Sequence, residues 1–154
     1  MDANLLLWIA QVLLALAFLS VGYGHSLGYE AWSVRPGMTW MAAVGRDRMR
    51  VLALLELLGA IGLVLPAATR VLPPLTPATA ACLAVLMALA VVFHVRRPGE
   101  RPNIVLNLIL GVIAALIVYG RSVIARSEAA PHQPRRSVAA IVRPVCDPPM
   151  KGTR

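Results

Sequence analysis

The stretch LLELLGAIGLVLP, residues 54–66, decides how this chain is read. It makes up most of a membrane-spanning helix, and it carries one carboxylate, Glu56, inside an otherwise apolar run. A carboxylate at membrane depth is costly, so it must face other protein or a watery cavity rather than lipid. Helical spacing puts Leu52, Glu56, Gly59 or Ala60, and Leu63 on one face. Small residues mark where a neighbouring helix packs closely. Glu56 is therefore expected to point inward, with Gly59 and Gly62 as helix-packing positions.

The rest of the chain supplies walls for that acid. Only 14% of the 154 residues are charged and 58% are hydrophobic, whereas a soluble domain carries nearer a quarter charged. The charges fall in the gaps between long uncharged runs, which is the membrane pattern. Four spans are predicted, at about 4–23, 48–65, 77–95 and 103–120, joined by short links into an up-down-up-down bundle: an all-α membrane protein. The start MDAN carries an acid and no Lys or Arg, which favours a retained first helix over a signal peptide. Pro66 and the Pro-rich turn at 72–77 are expected to end the second span. Thr76 is the expected N-cap of the third, with Pro77 at its first helical position. Asn103 is the expected N-cap of the fourth, Gly111 its mid-helix packing position, and Gly120-Arg121 its end. From residue 122 on the chain reads as a basic Pro/Arg-rich tail, expected to be disordered.

The formal net charge of +8 is almost all arginine. It is split among separate loops rather than gathered on one soluble face, which fits membrane topology and anionic headgroups and argues against nucleic acid. The two cysteines, Cys82 and Cys146, form no C-x-x-C, and no metal-ligand spacing appears. No phosphate loop or nucleophile motif is present, and no catalytic residue is assigned. The longest link, 26–47, holds Trp32, Trp40 and a small apolar patch at 38–44. Two readings are open: a cap over one mouth of the bundle, or a surface loop whose tryptophans sit in the headgroup layer.

Topology gathers the polar residues. The end of span one, the start of two, the end of three and the start of four share one side, so His25, Glu56, His94 and Asn107 all belong to that half. Glu56 lies eight residues inside Arg48, about 12 Å deep at helical rise. These four are the candidate ligand or proton site. The competing reading is a buried acid bonded to an Asn or His that locks the helices together.

The polar punctuation of the spans resembles the DoxX-like family of small four-helix integral membrane proteins. The matching pieces are FLSVGYGHSL at 18–27, ELLGAIGLVLP at 56–66, PLTPATAACLAVLMALAVVFHVRR at 74–97 and NLILGVIAALIVYGR at 107–121. The resemblance implies that Glu56, Gly59, Gly62, Pro66, Thr76, Pro77 and His94 are recurring positions. Many relatives carry Lys where this chain has His25, a departure that weighs against any role requiring a permanent cation there. Cytoplasmic termini in a bacterial inner membrane are implied by the same likeness. So is an auxiliary membrane subunit of a redox or thiol/quinone-linked system, with quinone as the candidate cofactor and electrons from elsewhere. The alternatives are a structural or chaperone-type protein packing against a membrane-protein partner or a second copy, and a small proton-coupled transporter using Glu56.

Overall fold

Long apolar runs have one stable conformation in lipid, because every backbone polar group must be satisfied within the segment. A computed structural model describes residues 3–129, all of whose regular structure is helical. Four long helices, α1 (Ala3–His25), α4 (Arg46–Thr69), α5 (Leu75–Val95) and α6 (Arg101–Ala129), alternate in direction. Two short ones, α2 (Tyr29–Ser33) and α3 (Trp40–Val44), lie in the link between α1 and α4. The four long helices are each long and apolar enough to cross a membrane. They close a ring in which α1 packs on α4, α4 on α5, α5 on α6 and α6 back on α1.

The bundle is apolar outside as well as inside. Leu13, Leu16, Val85 and Leu116 are all more than half exposed, as befits surfaces whose solvent is hydrocarbon. The core is a column of Leu14, Phe18, Leu63, Leu83, Met87 and Ile117, closed by Ala60, Ala80 and Ala114. α4 buries Met49, Ala53, Glu56, Gly59, Ala60, Leu63 and Pro66 along one face. Gly59 and Gly62 bring α4 against α5: a Cβ on Gly59 would lie 2.6 Å from Leu83 Cδ2, and one on Gly62 2.6 Å from Thr79 Oγ1. Gly111 faces Met87 with a little more room, 3.3 Å from its Cβ.

Several expected boundaries move. Pro66 does not end α4 but sits buried within it. Proline removes a hydrogen bond to the carbonyl four residues earlier and crowds the preceding turn. The carbonyl it frees is that of Gly62; the next one, that of Leu63, takes a bond of 2.6 Å from Gln11 Nε2, which ties this turn to α1. α5 starts at Leu75 with Pro74 in the cap position, which places Thr76 inside the first turn as a buried residue rather than as the N-cap. α6 runs to Ala129 instead of stopping at Gly120-Arg121. Gly120 sits inside the helix where Leu7 of α1 packs closely against it, and neither Gly nor Pro follows before Ala129. The remainder of the predicted tail, from residue 130, lies outside the described residues, as does Cys146. Cys82 is exposed on the outer face of α5.

Candidate functional site

The buried acid of the second span has a partner. Glu56 Oε2 accepts a hydrogen bond of 2.8 Å from His25 Nδ1, and the two side chains are only 3% and 6% exposed. His25 reaches it because α1 continues past Tyr23 to His25, with Gly22 and Gly24 giving the approach. Gly22 sits against Leu57 and the Ala53 carbonyl of α4. Gly24 lies face-on to Trp32, whose ring fills the place a side chain would need.

His94 does not join that pair. Its Nδ1 donates instead to Glu100 Oε2 at 2.6 Å, and the His94 side chain is 3% exposed. Glu100 is turned back onto α5 by the 96–100 link, where Gly99 takes φ 87°. Arg97 sits on the same carboxylate, with Nε 3.8 Å from Oε1, and lies over the Phe93 ring. The structure thus holds two imidazole–carboxylate pairs, one fully buried and one with a buried imidazole on a part-buried carboxylate. Between them stands Trp40, whose ring centre lies 5.5 Å from that of His25 and 4.9 Å from that of His94. Both contacts are edge-to-face, at 82° and 87°. The Trp40 indole N–H is buried and has no acceptor among the described residues.

Trp40 arrives there because the 26–47 link folds over the mouth of the bundle. Trp40, Met41 and Met49 are buried together, with Tyr29, Trp32, Met38 and Leu52 packed around them. Of the two readings open for this link, the cap describes it, and Trp40 leaves the headgroup layer for the interior. Two bonds fasten the cap: Asn103 Nδ2 of α6 donates to the Gly37 carbonyl at 3.0 Å, and Arg46 pairs with Glu30 at 2.6 Å. Asn103 therefore tethers the cap rather than capping α6.

Beneath the cap lies a cavity of about 330 Å³. His25, Glu56, His94, Asn103 and Asn107 line it, with Phe18, Trp32, Trp40, Met87 and Phe93 as its apolar and aromatic walls. Leu89 and Leu106, also in the lining, are 62% and 47% exposed on the outer surface, so the cavity reaches the lipid side. Arg48 stands at its water-facing end. Asn107 shares the cavity but bonds within its own helix, from Nδ2 to the Asn103 carbonyl at 2.7 Å.

The model of the DoxX-like family matches residues 9–117, well over half of the chain. The chain belongs to the DoxX-like family. No curated protein and no solved structure matches it. Family membership agrees with the four spans in making this a multi-pass integral membrane protein of the DoxX type.

In this DoxX-like chain, Glu100 and Trp40 are the site members that residue-by-residue reading passes over. Glu100 lies in a polar link that reads as solvated. The available signal is that it is the only acid in the 96–101 segment, six residues after His94 and just past Pro98-Gly99.

At the far end of the bundle a second polar group ties α1 to α6. Arg121 Nε donates to Gln11 Oε1 at 2.6 Å and Arg121 Nη1 to Asn4 Oδ1 at 2.9 Å, while its guanidinium lies over Trp8. Gln11 is thus satisfied at both ends of its amide, which accounts for a fully buried polar side chain in the first span.

Proposed function

We propose that this protein is an auxiliary membrane subunit of a redox system, and that its cavity holds the head of a quinone or a similar lipid-soluble molecule beside Glu56. One observation carries the reading: a buried imidazole–carboxylate pair forms part of the wall of an apolar, aromatic-lined cavity that reaches the lipid surface. Pockets of this kind, mostly apolar with a few convergent polar groups, are where flat hydrophobic ligands bind. The donor set suits a ring bearing oxygens. With Nδ1 held by a carboxylate, the imidazole keeps one orientation and turns Nε2 free for a ligand. There it donates a hydrogen bond to a carbonyl oxygen when protonated and accepts one from a hydroxyl when not. The carboxylate stabilises the imidazolium, the division of labour seen wherever a His is oriented by an acid. A quinone supplies two-electron, two-proton exchange when bound; the chain itself positions the head, excludes water beneath the cap and holds a proton at His25. Electrons come from a partner protein, since the reading gives this chain no electron carrier of its own. Under this reading the protein sits in a bacterial inner membrane and works in a complex.

Native mass spectrometry of protein gently extracted from its membrane tests this. A co-purifying quinone-sized adduct is expected, with occupancy reduced about tenfold in Glu56→Ala, the loss of one charge-assisted contact. Protein that carries only phospholipid, in the native sequence and the variant alike, refutes the reading.

A further inference from the structure

The His94–Glu100 pair is not used by a site centred on Glu56, and it repeats the His25–Glu56 pair closely. Each imidazole is 5% exposed or less as a residue, and each gives Nδ1 to one carboxylate oxygen. Neither Nε2 has a hydrogen bond among the described residues. Both rings line the same cavity and stand nearly perpendicular to the same indole. A helix lock needs one such pair; two matched pairs flanking an aromatic surface suit a ligand with two polar ends. His94 also sits beside Phe93, and Asn103 and Asn107 of α6 line the cavity with it.

We propose that the cavity grips a six-membered ring by two opposed oxygens, one at His25 Nε2 and the other at His94 Nε2, with the ring lying along Trp40. This rests on the quinone-head reading and narrows it: the ligand is a para-dioxygenated ring, and Glu100 is a positioning residue equivalent to Glu56. A ring with a single oxygen engages one imidazole and leaves the other buried without a partner. That difference is one hydrogen bond, about tenfold in affinity. Glu100 acts only through His94, so its replacement must lower the preference for the second oxygen rather than abolish binding.

Two probes differing by one hydroxyl test it: decylhydroquinone, kept reduced under anaerobic conditions, and the matching decylphenol. Each is titrated calorimetrically into the full-length protein in detergent micelles. The native chain is expected to favour the hydroquinone about tenfold. His94→Leu removes that preference, so that hydroquinone and phenol bind alike through His25; saturable binding of both probes shows that the cavity is intact. Glu100→Gln reduces the preference by a smaller factor. A preference unchanged in His94→Leu, or a native chain that binds both probes equally, overturns the two-ended grip and leaves the quinone-head reading standing. Failure of the native chain to bind either probe saturably overturns both.

Discussion

Replacing the two members of the His25–Glu56 pair singly and together measures how strongly the bundle depends on it. Glu56 lies ten residues past the start of α4 at Arg46, about 15 Å along the helix, its bond to His25 is 2.8 Å long, and both side chains are at least nine-tenths buried. His25→Ala leaves a carboxylate in that setting without its donor, a loss of about 3–5 kcal/mol. Glu56→Ala leaves an imidazole N–H without an acceptor, about 1–3 kcal/mol. The double variant has neither orphan. It is expected to fall short of the summed single losses by about 2 kcal/mol, the signature of two residues acting on each other. Glu56→Gln keeps an amide oxygen for Nδ1–H and loses only the charge assistance, about 1 kcal/mol. Reversible unfolding in mixed micelles with increasing SDS gives all four values. Single losses that add to within about 0.5 kcal/mol in the double variant would refute the argument, because the contact would then contribute nothing beyond the two side chains separately.

Four further outcomes follow from the packing. Gly62→Ala should destabilise by about 1–3 kcal/mol, because the new methyl meets the short, branched Thr79. Gly59→Ala meets Cδ2, Cδ1 and Cγ of the buried Leu83, so that side chain must repack, and a loss of similar size is expected in the same unfolding assay. Gln11→Leu removes the groups serving both the Leu63 carbonyl and Arg121 Nε. A loss of about 1–3 kcal/mol is expected, and a neutral result would show that water or lipid headgroups replace both bonds. Asn103→Ala unties the cap from α6. Amide exchange across residues 37–44 should rise while that of the α5 interior stays unchanged; equal exchange in both proteins would mean the packing of Trp40 and Met41 alone holds the cap.

The four spans and their alternating order were legible because the bilayer leaves a chain few options: a run of apolar residues of sufficient length must be a helix. The inward turn of Glu56 was legible for the same reason, as a cost that lipid would impose. The pairing of the polar residues was not. His25, Glu56, His94 and Asn107 could be assigned to one half of the bundle by counting, but counting does not say which imidazole meets which carboxylate. His94 closes on Glu100 through a turn at Gly99, and Trp40 enters because a link of ordinary composition folds inward. Both depend on contacts between segments that no local pattern records. Helix ends failed where a local signal met a tertiary one. Pro66 reads as a terminator, yet it lies buried inside α4, and Gly120 lies inside α6 with Leu7 of α1 packed against it.

The unequal lengths of the long helices bear on the membrane around them. α5 has 21 residues and α6 has 29, or about 31 Å and 43 Å at 1.5 Å per residue. The hydrocarbon layer of an average bilayer is about 30 Å thick. α5, packed against both α4 and α6, can therefore span such a layer only when nearly upright, and it limits how far the whole bundle can lean. A thicker bilayer must thin at the α5 face, whereas α6 overhangs on the side away from the cap. Hydrophobic mismatch then falls on one flank of the protein, and the annulus of lipid beside α5 is where short-chain lipids should concentrate.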